Sequence, residues 1–234
     1  MFMGRKKSIW FRMIMGLLKK TKAKSTFVYL GEKIEEPSVI LCNHVGTSAP
    51  LSFELFSGID FRFWGTHEMN SGLVSMYKYQ SRVFYHEKRG WNLFLARMYC
   101  LIASPLTNIV YGGLDLISTY KDIRFRNTLK ESENAINDKH SIVIFPEVSD
   151  KGYLDVLEGF HSGFVKLLNY MYKKGHDLPI YVSYYNKYNH VHIFSEKIMY
   201  SELLAKCVDE DLIAKALCDK CNELGILSKE YNKK

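Results

Sequence analysis

The chain has 234 residues, 47% of them hydrophobic with 14 Phe and 16 Tyr, which is enough for one sizeable core, excludes wholesale disorder and makes two full domains a squeeze. The formal charge of +7 is concentrated: residues 1–31 carry eight basic side chains (Arg5, Lys6, Lys7, Arg12, Lys19, Lys20, Lys22, Lys24) and no acidic one, leaving 24 basic against 25 acidic in the rest. A bulk electrostatic case for nucleic-acid binding therefore fails for the body of the chain, and any attraction to polyanions belongs to the N-terminal segment.

From Ile9 to Leu18 the chain is apolar except for Arg12 and Gly16. Trp10, Met13, Ile14, Leu17 and Leu18 recur at i, i+3, i+4, i+7, i+8, one stripe of a helix. The run is shorter than the roughly 20 apolar residues that span a bilayer. It is also a poor secretion signal, because Arg12 interrupts it and Lys19-Lys20-Thr21-Lys22 stands where small residues should be. A basic helix with this face is expected to lie in a membrane interface, held by apolar burial and by anionic lipid. The alternative is a helix docked on the protein's own core with a solvated basic rim. The charge asymmetry favours the membrane.

Thr26–Leu30 reads as a short strand closed by Gly31, and Ser38–Cys42 as a second, with the apolar run Val39-Ile40-Leu41 inside it. Leu51–Phe56 predicts a helix ended by Gly58, and Phe61–Gly65 a strand. Residues 70–112 predict an all-helical excursion, with helical spacing in Trp91–Ile102 and a break at Ser104-Pro105. Leu114–Lys121 reads as a strand running into a basic loop. Phe125–Ile136 predicts an amphipathic helix, Ser141–Phe145 an apolar strand, and Phe160–Tyr172 a helix. Pro179–Tyr184 and Val191–Phe194 predict strands, and Asp209–Leu224 a closing helix.

Alternating strands and helices predict an α/β fold, a largely parallel central sheet flanked by helices, over residues 26–234. Residues 1–25 form the basic amphipathic helix segment ahead of it. The five cysteines (Cys42, Cys100, Cys207, Cys218, Cys221) are odd in number and lack a framework spacing, which suits reduced thiols in a cytosolic compartment. Cys218 and Cys221 have the spacing of half a metal or redox site, but no second pair follows and their pattern is helical, so packing is the expectation.

Ligands of parallel sheets bind beyond the carboxyl ends of the strands. Asn43-His44, Tyr120-Lys121 and Pro146-Glu147 all fall just past predicted strand ends. A histidine there can act as general base if it reaches a hydroxyl and its other ring nitrogen is held by an acceptor. The alternative is a structural histidine.

Asn43-His44-Val-Gly-Thr-Ser-Ala49-Pro50 resembles the Asn-His-x4-Asp-Pro motif of the glycerolipid acyltransferases of the 1-acylglycerol-3-phosphate acyltransferase class. Phe145-Pro146-Glu147, about 100 residues on, resembles their Phe-Pro-Glu motif. Gly159-Phe-His-Ser-Gly163-Phe164 is similar to the Gly-rich helix start that follows, and Pro179-Ile-Tyr-Val to the closing strand. Ile117-Ser-Thr-Tyr-Lys121-Asp122 lies where that family carries an arginine, with Lys121 on it. The resemblance covers roughly residues 26–185 and implies the acyltransferase fold.

What the resemblance implies is O-acyl transfer from acyl-CoA or acyl carrier protein to a lysophospholipid or glycerol-phosphate-type hydroxyl. His44 would deprotonate the acceptor, while Glu147 binds its glycerol part or braces the site. Lys121, helped by Arg124, would hold its phosphate, and Asn43, Phe145, Pro146 and Gly163 would line the substrate site. No metal and no cofactor besides the acyl donor are implied. The expected partners are an anionic membrane surface, the acyl donor and the acceptor, with no nucleic acid, and the expected place is peripheral, on the cytoplasmic face.

The family's aspartate falls on Ala49, and its Gly-Thr-Arg after Phe-Pro-Glu is replaced by Val148-Ser149-Asp150. In the serine-protease triad, a related arrangement, removing the charge of the corresponding carboxylate lowers turnover by about 10⁴. Three outcomes are open. Glu147, Glu68 or Asp150 folds back onto His44; Thr47 or Ser48 orients the ring weakly; or the fold persists as a catalytically impaired lipid- or acyl-binding protein.

Overall fold

A computed structural model describes residues 7–149 and 152–231. Arg5, Lys6 and Asp150, used in the sequence reading, lie outside the described residues. Packing divides the chain into two units, Met1–Lys20 with Phe63–Thr128 and Thr21–Arg62 with Leu129–Lys234. The fold is α/β, with mostly parallel strand pairing and flanking helices.

In the second unit, β2 (Val39–Cys42) runs between β5 (Ser141–Ile144) and β6 (Pro179–Asn186) and is parallel to both. Leu41 faces Ile144 on one side and Val182 on the other. All four residues of β2 are buried, which is why the segment is a continuous apolar run rather than an alternating one. β6 turns back antiparallel into β7 (Val191–Phe194), β1 (Thr26–Tyr29) pairs parallel with β7, and β8 (Ile198–Met199) pairs antiparallel with β6. Helices α2 (Ser48–Phe56), α7 (Gly163–Lys173), α8 (Tyr200–Lys206) and α9 (Glu210–Leu227) complete this unit.

Phe53 of α2 packs against Phe27, His192 and Phe194, with ring centroids 4.6–6.0 Å apart. His192 is fully buried, stacks on Phe27 at 4.7 Å, and shares a hydrogen bond of 2.9 Å with Ser52 Oγ. That bond ties α2 to β7. Cys218 and Cys221 lie on the inward side of α9, where the Cys221 thiol donates to the carbonyl of Ser183. Burial pushes both thiols up, Cys218 to about 11.

In the first unit, β3 (Phe61–Thr66), the larger part of which lies here, pairs parallel with β4 (Ile117–Thr119). This unit also holds helices α1 (Ile9–Thr21), α3 (His67–Asn70), α4 (Leu73–Lys78) and α5 (Leu93–Gly113), and α4 and α5 pack against a π-helical stretch, Tyr79–Lys88. The chain enters α6 (Phe125–Asn137) as it leaves this unit. The 70–112 excursion is helical, as expected, but the break at Ser104-Pro105 does not occur. α5 runs through Pro105. A proline removes one backbone donor, and that loss is outweighed by the packing of a 21-residue helix and by Ser104 Oγ, which donates to buried Gln80 at 2.7 Å.

Two other boundaries differ. β4 starts at Ile117 rather than Leu114 because Asp115 adopts a left-handed conformation (φ 50°) that keeps it out of the extended strand. α7 begins at Gly163 rather than Phe160, because Phe160 bridges to Glu147 and the His161 N–H goes to the Pro146 carbonyl. β8, α3 and α8 were not anticipated; each has seven or fewer residues, too few for a periodicity to stand out. Gly113 lies against Phe11 of α1: a Cβ there would meet the ring at 2.2 Å, so only glycine lets the two helices approach.

Burial lowers the pKa of His192 from 6.5 to about 3. The unfolded ring titrates near 6.5, so below that pH the unfolded chain binds a proton the native one does not. Stability should therefore fall as the pH drops from about 6.5 towards 3, by up to about 1.4 kcal/mol per pH unit from this group alone, with no contribution above 6.5. Urea unfolding across that range, compared between wild type and His192→Leu, measures it: the variant should lose that part of the slope.

Candidate functional site

The carboxyl ends of β2 and β5 are adjacent because the two strands pair in parallel, and they present Asn43-His44 and Phe145-Pro146-Glu147. Beyond Cys42 the chain leaves the sheet through a tight turn in which Gly46 has a φ of 59°, a conformation glycine adopts without strain. α2 then starts at Ser48.

Asn43 is fully buried. Its Oδ1 accepts from the Tyr185 N–H at 2.6 Å and its Nδ2 donates to the Tyr185 carbonyl at 3.1 Å. The side chain thus copies one more step of the β2–β6 ladder, which occupies the amide with the main chain and fixes where the next residue begins.

Glu147 is 6% exposed. Its Oε2 accepts the backbone N–H of His44 at 2.8 Å, and the carboxylate also receives the Leu154 N–H. Burial raises its pKa, and these two N–H groups partly counter that rise. Glu147 therefore folds back onto His44 as the sequence allowed, and the bond goes to the histidine's main chain. It stitches β2, β5 and the 147–160 loop at one point.

That loop leaves and returns as a short antiparallel pair. Glu147 bridges Phe160, and the Val148 N–H donates to Gly159. Leu157 is held at both its backbone groups by the Asn222 amide of α9, and Tyr184 Oη donates to the Asp155 carbonyl. So anchored, the loop lays the Tyr153 ring on His44, centroids 5.1 Å apart and 10° from parallel. Phe145 closes another side edge-on, at 5.1 Å and 70°. His44 is half-buried between these rings. Tyr153 is the neighbour that sequence reasoning missed; only Gly152, with a φ of 89°, marks a turn before it.

The other predicted residues take these places. Pro146 is buried and its carbonyl accepts from His161 at 2.8 Å, which shapes the return of the loop. Gly163 is the first residue of α7, and a Cβ there would meet nothing within 4 Å. Ala49 is fully buried in α2, so a methyl group stands where the resemblance places a carboxylate. Thr47 and Ser48 are exposed at the start of α2.

Lys121 and Arg124 belong to the first unit, beyond the carboxyl end of β4. Lys121 is exposed. Arg124 lies over the Tyr120 ring at 4.6 Å and forks onto Asp122, at 2.7 Å between Nη2 and Oδ2 and 3.0 Å between Nε and Oδ1. Those bonds hold the Asp122 carboxyl down at about 2. The guanidinium is thus largely neutralised where it stands. Glu68 is engaged within the same unit, by the Thr66 hydroxyl and by His67 Nδ1 at 3.0 Å. Burial raises its pKa, but the Thr66 bond, His67 and Lys121 more than offset it, and the net shift is downward. Among the described residues no cluster of three or more His, Cys, Asp or Glu could hold a metal ion.

No family model, no curated protein and no solved structure matches this chain.

The clamp predicts a graded response. Glu147→Ala leaves two backbone donors, those of His44 and Leu154, without their acceptor and should lower stability by about 2–6 kcal/mol, at about 1–3 kcal/mol for each buried donor. Glu147→Gln keeps one acceptor oxygen and should lose roughly half as much. Urea denaturation of the two variants measures the difference, and equal losses would remove the clamp.

Proposed function

We propose that this chain is a peripheral-membrane O-acyltransferase of the glycerolipid type, moving a fatty acyl group from a thioester of coenzyme A or acyl carrier protein to a lysophospholipid or glycerol-phosphate-type hydroxyl. The observation that carries the reading is the pairing of His44 and Glu147 at the ends of adjacent parallel strands, in the order and spacing of the acyltransferase motifs.

His44 is the general base: its ring takes the acceptor hydroxyl's proton as the oxygen attacks the thioester carbonyl. The tetrahedral intermediate collapses with expulsion of the thiolate, which takes a proton, and the ester remains. Glu147 is a positioning residue, because its carboxylate holds the main chain of His44 rather than the reacting atoms. Tyr153 and Phe145 limit the swing of the imidazole and exclude water from its faces, as a base needs. Asn43 sets where the histidine starts. Pro146 and Gly163 shape the loop and the helix that border it.

Lys121, an exposed cation of the first unit, is the residue that the motif resemblance assigns to holding a phosphate. An ammonium does this as a point charge, without the two-pronged geometry of a guanidinium. Arg124 is a weaker candidate, since Asp122 already occupies its fork. The reading needs no metal and no cofactor beyond the acyl donor. The basic start of the chain supports a site on the cytoplasmic face of an anionic membrane.

The buried methyl of Ala49 supports a second reading, a catalytically impaired protein of the same fold that binds lipid or acyl chains. Acyl transfer to lysophosphatidic acid separates the two. In the first reading wild type turns over and His44→Ala falls by about 10²–10⁴-fold, the usual contribution of a general base. Equal turnover in the two proteins would sink the catalytic role. Wild-type silence together with activity in Ala49→Asp would select the second reading.

A further inference from the structure

Helix α5 is built inside out. Its inward positions are small (Ala96, Cys100 and Ser104, at i, i+4, i+8), and all three are fully buried. Its large apolar side chains point the other way: Phe94 is 69% exposed, Leu95 60%, Leu101 57%, Ile102 83% and Leu106 55%. A helix that packs on water-soluble surroundings shows the reverse, large residues in and polar residues out. Small residues inward and large ones outward is the arrangement used where the outer solvent is lipid. Only 17% of its most apolar 18-residue window is buried, so it is not the core helix of its unit.

The neighbouring surface follows the same rule. α1 turns Phe11 and Met15 inward and leaves Ile9, Trp10, Met13 and Leu17 about 60% exposed. Phe11 seats on Gly113 at the far end of α5. The π-helical stretch and the start of α5 gather Tyr85, Trp91 and Tyr99, rings 4.8–5.5 Å apart, and Arg89 lies over Phe84 at 5.1 Å. Aromatic rings and cations of this kind are found where a membrane's head groups meet its chains.

Charge selects the occupant. By sequence, the first unit (residues 1–20 and 63–128) holds 14 lysines and arginines against four acidic residues, while the second holds 18 against 21. The net positive charge of the chain thus belongs to the unit that carries the exposed apolar helix. A second copy of this unit would bring the same excess positive charge to the contact, whereas an anionic bilayer satisfies both features at once.

Length decides depth. The outward apolar stretch, Phe94 to Leu106, covers 13 residues of α5, or about 20 Å at 1.5 Å per residue, short of the roughly 30 Å of a bilayer's hydrocarbon core. Arg97 is exposed within it, one turn from its start. Both features suit a helix lying at shallow depth rather than crossing.

We propose that α5 is a membrane-insertion element, which lays its outward face in one leaflet of an anionic bilayer with the outward face of α1 as a second contact. This places the main apolar anchor in the middle of the chain rather than in its basic start. It deepens the peripheral-membrane part of the reading above and does not depend on acyl transfer. The test uses the full chain and vesicles of diacyl lipids, either pure phosphatidylcholine or equimolar phosphatidylcholine and phosphatidylglycerol.

Wild type should float with the anionic vesicles and bind the neutral ones far more weakly. Phe94→Ser combined with Ile102→Ser should lower partitioning by about 100-fold, roughly tenfold for each large side chain withdrawn from lipid. Both positions are mostly exposed, and an unchanged circular-dichroism melt checks that the variant is folded. Ile102→Trp should be quenched by brominated acyl chains. His44→Ala should float as wild type does, so a failed acyl-transfer reading and a failed insertion reading are told apart. The proposal is overturned if the double variant floats like wild type, or if the tryptophan escapes quenching. It is equally overturned if wild type ignores anionic vesicles but forms a dimer that the double variant dissolves, which would give the face to a second copy.

Discussion

The second unit depends on the placement of one strand. β2 is flanked by parallel partners on both edges and buried on both faces, so its position is fixed by two hydrogen-bond ladders and by apolar burial at once. At its carboxyl end two side chains extend that rigidity by a residue each: the Asn43 amide grips the main chain of Tyr185, and the Glu147 carboxylate grips the main chain of His44. Everything near the histidine inherits this geometry. The 147–160 loop is returned to the sheet by Glu147 and pinned to α9 by Asn222, and Tyr153 reaches His44 because of it.

The two units divide the physical tasks. The second is nearly balanced in charge and holds its histidine on a rigid base. The first is strongly basic by sequence and turns large apolar side chains outward. Neither property suits an isolated particle in water, where an exposed apolar helix is unfavourable and self-repulsion among like charges works against compactness. An anionic lipid surface would remove both penalties.

Much of the fold was legible because burial writes strong patterns. The runs at 39–42 and 141–144 have no polar residue except the leading serine of the second, and each reads as an interior strand of a parallel sheet. The closing helix α9 was legible from its apolar spacing. The Asn-His and Phe-Pro-Glu stretches were legible as strand ends, and the pairing of β2 with β5 brings them together. Less was legible where a single contact decided. Pro105 looks like a break, yet tertiary packing carries α5 through it. Phe160 looks helical, yet its bridge to Glu147 holds it out of α7. Tyr153 has no periodicity that could announce a stacking partner, and it lies nine residues past the end of β5.

The sequence by itself determined the α/β class, the order of the main elements, the residues at the strand ends and the absence of a carboxyl group at position 49, because each of these depends on local composition or on residue identity. Only the tertiary structure decided that Glu147 holds the backbone of His44, that Arg124 is forked onto Asp122, that Glu68 is engaged with Thr66 and His67, and that α5 faces outward. Those outcomes turn on where a side chain's few hydrogen bonds go and which side of a helix meets a neighbour: Glu147 reaches a partner 103 positions away, while Arg124 and Glu68 are taken by residues one or two positions off whose side-chain directions composition does not fix.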